Sequence, residues 1–252
     1  MTRKATMPRT VAVVGAGRLG SAFAAALRAA GVSVIGPLGR QETAEAEIVL
    51  ICVPDGEIAG VAAQFAGRCD FVGHVSGATP ISRLAAAGAP MFGVHPAQSF
   101  AGDDPPSRFQ GVGSAISADT PEALEIAGEL ASSVGMRPFV IDEEHRAGYH
   151  AAACIASNFL ITIADAAEQV AAGSGLSPAQ TRELFAPLVR TTVDNWLQRG
   201  PRRALTGPVE RGDQDTVRAQ RDAVHEVAPD LTDLFDALVT STEHLAARKA
   251  SE

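Results

Sequence analysis

The feature that most constrains the fold is a glycine-rich turn near the start of the chain. The hexapeptide Gly15-Ala16-Gly17-Arg18-Leu19-Gly20 has the pattern G-x-G-x-x-G, follows four apolar residues and opens an alanine-rich stretch. Between a strand and a helix, the first glycine permits a tight turn, the second lets the backbone approach a pyrophosphate, and the third lets the helix pack on the strand. The N–H groups that begin such a helix bind phosphates. The pattern favours a dinucleotide site; the alternative is a merely tight turn.

The first half of the chain alternates short β-branched runs with alanine-rich helical stretches. This alternation is typical of a parallel, doubly wound sheet, whose strands are apolar throughout because helices cover both faces. The predicted strands are 10–14, 32–35, 48–53, 71–75, 91–94, 113–118 and 138–141. The predicted helices between them are 18–30, 56–65, 80–87 and 121–134.

The pattern changes at about residue 142, after which no convincing strand is found. Four helical patterns follow, and a proline near the first turn marks the start of two of them. They cover residues 145–172, 178–198, 214–227 and 230–248. We therefore predict an α/β chain with two domains: a Rossmann-type doubly wound sheet over residues 1–144 and an all-helical domain over residues 145–252.

Composition limits the function classes. The 252 residues carry 21 basic and 29 acidic side chains, a net charge of −8, which argues against a nucleic-acid partner. The three cysteines are too few for a disulfide framework or a zinc site, so we predict no metal and a reducing cytoplasm. The N-terminus lacks the long apolar stretch of a signal peptide. One long uncharged run, 147–164, contains polar side chains, so we expect a protein-covered helix and no membrane partner.

The end of the second strand bears on which cofactor binds. An NAD site usually places a carboxylate there, where it holds the ribose 2′-OH. Residues 35–40 contain no carboxylate and end in Arg40, which suits the 2′-phosphate of NADP. Residues 1–41 carry six basic and no acidic side chains, and Arg18 is a second candidate for phosphate contact. The sequence favours NADP, with NAD as the alternative.

Several polar or distinctive residues fall at the carboxyl ends of predicted strands, where open α/β sheets bind ligands. Val53 and Pro54 close the third strand, Ser76 follows the fourth and His95 follows the fifth. Each is a candidate to line the nicotinamide or substrate side of a crevice. Serine and histidine at strand ends also serve as ordinary caps and loop hydrogen-bonding groups.

The first predicted helix of the second domain carries polar but uncharged residues spaced three or four apart. They are His150, Cys154, Ser157, Asn158 and Thr162. A stripe without charge suits the wall of a closed site, where an unpaired charge is costly. We take His150 and Asn158 as catalytic candidates and Ser157 as a substrate contact, against the alternative of a solvated face or satisfied core groups.

Besides the glycine-rich turn, the chain carries a set of short motifs: Cys52-Val-Pro-Asp, His74-Val-Ser-Gly, Gly93-Val-His-Pro, residues 149–158, Leu205-Thr-Gly-Pro and Arg211-Gly-Asp. Together these motifs resemble a largely uncharacterised bacterial group that joins a Rossmann-like NADP-binding domain to a helical domain called DUF2520. The resemblance covers nearly the whole chain and extends to the wider 6-phosphogluconate dehydrogenase-like proteins, including ketopantoate and pyrroline-5-carboxylate reductases. It implies a homodimer through the helical domain and an active site in the interdomain cleft.

One departure from that group concerns the catalytic acid. Many β-hydroxyacid dehydrogenases place a lysine on the first helix after the Rossmann domain, with an asparagine one turn later, whereas this chain has lysine only at Lys4 and Lys249. His150 is the nearest substitute, with Asn158 two turns on, and an imidazole transfers protons near neutral pH.

The sequence thus predicts an NADP(H)-dependent oxidoreductase that reduces a small carbonyl or imine compound, a 2-oxo acid such as ketopantoate being one candidate. His150 would donate the proton while Asn158 and Ser76 orient the substrate. Loop residues Thr206 and Gly207 are predicted to contact the substrate with Arg211, and either Arg190 or Arg211 is a candidate to bind its carboxylate. The alternative is a non-catalytic NADP(H)-binding redox sensor.

Overall fold

The computed structural model describes the backbone of residues 9–250 and the side chains of residues 9–248, so both lysines lie outside the described side chains. Its first part is a sheet flanked by helices and its second part is helical. The strands are β1 (Thr10–Val14), β2 (Ser33–Leu38), β3 (Ile48–Ile51), β4 (Phe71–His74), β5 (Met91–Pro96), β6 (Gly113–Ala118) and β7 (Arg137–Val140). The first helices are α1 (Arg18–Ala29), α2 (Ile58–Ala63), α3 (Pro121–Ser133) and α4 (Arg146–Ala156). The remaining ones are α5 (Asn158–Ala172), α6 (Pro178–Ala204), α7 (Pro208–Arg211), α8 (Gln214–Val227) and α9 (Thr232–Ala250).

The seven strands form one sheet in the order β2-β1-β3-β4-β5-β6-β7. This confirms the predicted α/β class, a doubly wound sheet followed by a helical part. One pairing differs from the all-parallel prediction, since β6 runs antiparallel to β5. The cause lies in the connection: residues 97–112 contain only a short 3₁₀ turn, whereas a parallel neighbour needs a crossover, usually a full helix.

Alternate residues of the central strands pack against helices on opposite faces of the sheet. Val11 and Val13 join the core that α1 and α3 cover, whereas Ala12 and Val14 join the core that α2 covers. All four side chains are fully buried. These strands are apolar throughout because helices cover both faces of the sheet. Since β1, β2, β3 and β4 pair in parallel, their carboxyl ends lie at the same edge. The predicted helix 80–87 is a 3₁₀ helix, Ile81–Ala87.

The helix predicted over residues 145–172 is wrong as a single element, because the chain breaks at Ser157 into α4 and α5. The backbone of Ser157 has φ −127° and ψ −74°, outside the helical region. Its hydroxyl donates to the carbonyl of Ala153 at 2.7 Å, a back-bond that is common where helices bend. The chain divides into two compact units at the same point, the first ending at Ser157 and the second beginning at Asn158.

The uncharged run 147–164 is not covered by protein within the single chain, which corrects that prediction. Ile155, Phe159 and Ile161 are 63%, 55% and 70% exposed. The segment Glu143–Ala172, which contains α4 and α5, is long and apolar enough to cross a membrane by length and composition alone. On α6, large exposed apolar residues also recur at spacings of three and four: Leu184, Phe185, Leu188, Val189, Trp196 and Leu197. We call these residues of α6 the apolar stripe.

Candidate functional site

The glycine-rich turn has the backbone geometry that each of its glycines requires. Gly15 has a φ of +110°, and a Cβ there would lie 2.4 Å from the carbonyl oxygen of Cys52. A Cβ on Gly20 would lie 2.0 Å from the carbonyl oxygen of Gly15, so α1 packs against the turn only without a side chain. A Cβ on Gly17 would meet nothing within 4 Å. The backbone at Gly17 therefore faces open space, as an approaching phosphate needs.

The start of α1 completes this part of the site. Gly17 caps the helix without a side-chain hydrogen bond, and the first turn holds no acidic residue. An uncapped helix N-terminus presents N–H donors and a partial positive charge. Arg18 lies at this end of the helix, and its side chain runs close to Gly102. A Cβ added to Gly102 would lie 3.1 Å from the Cγ of Arg18. Leu19 instead packs against the apolar core.

A cavity of about 400 Å³ opens beside the turn. It brings together six of the predicted cofactor residues from three parts of the chain: Gly15, Ala16, Gly17, Arg40, Val53 and Pro54. Gly39 and Cys52 complete its lining. Burial raises the pKa of the Cys52 thiol to about 12, so this side chain is a neutral part of the wall.

A second cavity, of about 550 Å³, shares Gly39 and Arg40 with the first. The guanidinium of Arg40 lies 3.4 Å from a carboxylate oxygen of Glu57, and both side chains are more than half exposed. The carboxylate of Glu42 accepts the Gly39 N–H at 2.5 Å. Sequence reasoning found no carboxylate at residues 35–40 and missed Glu42, because the turn Gly39–Glu42 brings it back to the end of β2.

His74 is the last residue of β4, and Ser76 lies just beyond it, where its hydroxyl organises the loop. It accepts the N–H of Thr79 at 2.9 Å and of Ala78 at 3.2 Å, which is the ordinary role of a serine in a loop after a strand. The buried ring of His74 accepts the N–H of Ser76 through Nδ1. Burial, and then the charge of Arg146, lower the pKa of His74 to about 4. His74 is therefore neutral at pH 7.

His95 lies at the end of β5 against residues of α4. Its Nδ1 is 2.8 Å from the hydroxyl of Tyr149, and its ring centroid is 6.0 Å from that of His150. Burial, followed by the nearby His150, lowers the pKa of His95 to about 4. A Cβ added to Gly77 would lie 2.5 Å from the ring of His150 and 2.8 Å from that of His95, so both rings pack closely against the loop after β4. His95 does not line either cavity described above.

An ion pair between a buried arginine and a half-buried glutamate holds α4 against the sheet. Arg146 is 3% exposed; its Nη2 lies 2.6 Å from Glu143, and its Nη1 donates to the carbonyl of Ser76 at 3.0 Å. Glu143 also accepts the hydroxyl of Ser117 at 2.7 Å and the N–H of Ile81 at 2.9 Å. These bonds lower the pKa of Glu143 against the opposing effect of its burial. The pair fixes the helix that carries Tyr149 and His150.

Sequence reasoning missed this pair, and it missed Tyr149 as a site residue. A usable signal was present: Arg146 is the last charge before a long uncharged stretch and lies three residues after Glu143. Such a charge at the border of an apolar helix calls for a partner, because an unpaired buried charge is costly. Tyr149 offered no comparable signal, since its bond joins residues 54 positions apart.

The remaining predicted residues lie on the helical elements. His150 shares α4 with Cys154, their Nδ1 and Sγ atoms 3.8 Å apart, whereas Asn158 begins α5. Thr206 and Gly207 precede α7, Gly207 having a φ of +104°, and Arg211 ends that helix. Asn158, Thr206, Gly207 and Arg211 belong to the second unit and Ser157 closes the first. Arg190 lies on α6. Their predicted roles stay predictions.

One exposed group in the described part of the chain has the spacing of metal ligands. Asp142, Glu144 and His145 each bring one ligand atom within 4.8 Å of the others. Exposed acidic groups are common without an ion, and the prediction that the protein has no metal site stays a prediction.

The fold recurs in solved structures. A suggested NADP oxidoreductase of Bacteroides fragilis superposes with a TM-score of 0.79 at 19% identity, over 94% of this chain and 98% of that one. A Thermotoga maritima protein superposes with a TM-score of 0.77 at 25% identity, over 95% of this chain and 99% of that one. An imine reductase of Myxococcus stipitatus in complex with NADP⁺ superposes with a TM-score of 0.64 at 14% identity, over 92% of this chain and 93% of that one.

Among curated proteins, none matches the sequence. A family model described as a domain of unknown function, DUF2520, matches residues 112–242, which is more than half of the chain. The chain therefore belongs to the DUF2520 family.

Proposed function

We propose that this protein is an NADP(H)-dependent oxidoreductase that reduces a small carbonyl or imine compound. The observation that carries the proposal is the cavity in which the glycine-rich turn meets Arg40 and the end of β3. Strand ends of a doubly wound sheet are where dinucleotides bind. Structural relatives include an imine reductase in complex with NADP⁺ and a Plasmodium falciparum pyrroline carboxylate reductase with NADP bound.

The residues present fit such a cofactor. The open backbone at Gly17 and the uncapped start of α1 suit a pyrophosphate, and the exposed guanidinium of Arg40 suits a 2′-phosphate. Val53 and Pro54 continue the cavity along the end of β3. When bound, the nicotinamide supplies the hydride.

The chain must supply the proton and orient the substrate. We assign proton donation to His150 and not to His95, because His95 is bonded to Tyr149 and stays neutral at pH 7. His95 is proposed to lie beside the cofactor, as the sequence predicts. An imidazole near neutral pH is an effective general acid. Ser76 can still donate its hydroxyl hydrogen to a substrate oxygen, since its two loop bonds use only the oxygen. Asn158 is proposed to orient the substrate, as the sequence predicts.

The decisive experiment is the substitution His150→Gln, assayed with NADPH and a panel of 2-oxo acids and cyclic imines, ketopantoate and pyrroline-5-carboxylate first. We expect turnover to fall by about 10²–10⁴-fold, the usual contribution of a general acid, while NADPH binding is retained. His145→Gln is the matched control, because His145 precedes the same helix and is exposed. Undiminished turnover in His150→Gln would remove its role.

A non-catalytic NADP(H)-binding sensor is the second candidate, favoured by the absence of lysine between residues 4 and 249. Single-turnover oxidation of bound NADPH separates the two functions. Oxidation by any acceptor of the panel at a useful rate supports the enzyme. Tight NADPH binding with no acceptor supports the sensor.

We further propose a cytoplasmic homodimer formed through the helical unit, with neither nucleic acid nor membrane as partner. The apolar stripe of α6 and the exposed apolar residues of α5 support a second copy as the occupant. Large contiguous apolar patches on soluble proteins mark interaction sites. Cys52, Cys69 and Cys154 form no disulfide, which suits a reducing compartment.

A further inference from the structure

The end of β2 carries the groups that would bind an anion, and carboxylates of the chain already occupy them. The N–H of Gly39 donates to Glu42 at 2.5 Å. The N–H of Glu42 in turn donates to the carbonyl of Gly39 at 3.0 Å, which closes a tight turn. The carboxylate of Glu42 therefore lies where the backbone after β2 presents a donor.

Arg40, inside the same turn, is engaged in the same way. Its Nη1 lies 3.4 Å from Glu57, which comes from the 3₁₀ turn after β3. Because both side chains are more than half exposed, the pair is weak and an incoming anion can replace it at little cost.

The turn itself is held in place from the other side. The side-chain amide of Gln64, which follows α2, donates to the carbonyl of Arg40 at 3.1 Å and to that of Gly60 at 3.4 Å. Glu42, Glu57 and Gln64 all line the cavity of about 550 Å³, which shares Gly39 and Arg40 with the cavity at the glycine-rich turn. The two carboxylates thus line a space next to Arg40 that no residue of the glycine-rich turn lines.

We propose that Glu42 and Glu57 set the preference between phosphorylated and unphosphorylated nicotinamide nucleotides, an inference that rests on the proposed function. A 2′-phosphate that binds Arg40 replaces Glu57 there and then lies beside two negative charges. Each carboxylate weakens NADPH binding by repulsion, whereas NADH carries no charge at that position. Removing either charge therefore tightens NADPH binding selectively. Two unit charges 4 Å apart in water correspond to about fivefold in affinity.

The test measures dissociation constants for NADPH and NADH by isothermal titration calorimetry with wild-type protein, Glu42→Gln and Glu57→Gln. We expect each variant to bind NADPH about fivefold more tightly at low salt. NADH affinity is expected to stay within twofold. Glu45→Gln is the matched control, since it removes the same charge from the same segment and does not line the cavity. Circular dichroism verifies that the variants fold.

The outcomes separate this inference from the proposed function. Unchanged NADPH-to-NADH ratios in both variants, with dinucleotide binding intact, overturn the inference alone. Weaker NADH binding in Glu42→Gln also overturns it, because Glu42 would then hold the ribose hydroxyls in the manner of an NAD site. If wild-type protein binds neither nucleotide, the proposed function itself fails.

Discussion

The two units of the chain bury their apolar side chains to very different extents. In the first unit the central strands β1 and β3 are at most 2% exposed from Val11 to Val14 and from Ile48 to Ile51. In the second unit, Phe159, Trp196 and Leu197 are 55%, 51% and 66% exposed. Burial of apolar surface is the main stabilising effect in folding. The first unit therefore obtains that effect within one chain, whereas the second leaves many large apolar side chains exposed in the single chain.

The largest effect is expected when the exposed apolar side of the second unit is charged. Leu188→Glu places a carboxylate in the apolar stripe, where covering it with a second copy would bury an unpaired charge. The wild-type protein should show about twice the chain mass of 26.0 kDa in light scattering, and the variant about the chain mass itself.

Glu183→Lys is the matched control, because at 3.6 residues per turn it lies on the side of α6 opposite the stripe. It should leave the mass unchanged. A wild-type protein that is monomeric at all concentrations would contradict the dimer. If the protein instead binds lipid vesicles through Glu143–Ala172, that result would favour a membrane-binding role for this apolar segment.

The next effect concerns the buried charge of the first unit. Arg146→Leu leaves Glu143 without its cationic partner, and we expect unfolding in urea to become easier by about 3 kcal/mol. Hydrogen exchange should rise in the loop after β4, since Arg146 also holds the carbonyl of Ser76. Arg221→Leu in the second unit is the contrasting case, because its pair with Asp236 is exposed and should matter far less. Equal losses would show that burial does not separate the two pairs.

A smaller effect follows from the buried histidine of the first unit. The pKa of His74 is lowered from 6.5 to about 4, so the unfolded chain binds a proton at pH 5 that the folded chain does not. This contribution to stability is complete above pH 6.5 and is lost as pH falls from 6.5 towards 4; the loss amounts to about 2 kcal/mol at pH 5. His74→Asn should flatten the difference between pH 7 and pH 5 in urea unfolding. An unchanged pH dependence would mean that other groups cause it.

How far the sequence predicts the molecule depends on the range of the interactions involved. The turn at Gly15 and the place of Val53 and Pro54 follow from local patterns, although β3 ends at Ile51, two residues earlier than predicted. The cavity brings these residues together because parallel strands end at one edge. The break at Ser157 was not predicted, since uncharged residues continue through it. The contacts of Tyr149 with His95 and of Arg146 with Ser76 join distant positions, and no local pattern encodes them.

The direction of β6 and the place of Glu42 show a second limit. Alternating strands and helices predict parallel neighbours, but the chain between β5 and β6 contains no long helix and returns in the opposite direction. Glu42 lies two residues beyond the expected position of an NAD-type carboxylate, and the turn after β2 brings it back. In both cases a short connection decided the geometry, and connections carry the least periodic information.

The half-buried thiol of Cys52, beside the glycine-rich turn, has a consequence for how the protein would tolerate oxidants. Thiolates react with peroxides and alkylating agents, whereas thiols do so slowly. With a pKa near 12, Cys52 remains a thiol at any physiological pH. A protein that handles reducing equivalents at this cavity would therefore keep its wall chemically unchanged during oxidative stress, and its nucleotide binding should survive treatment with hydrogen peroxide or iodoacetamide.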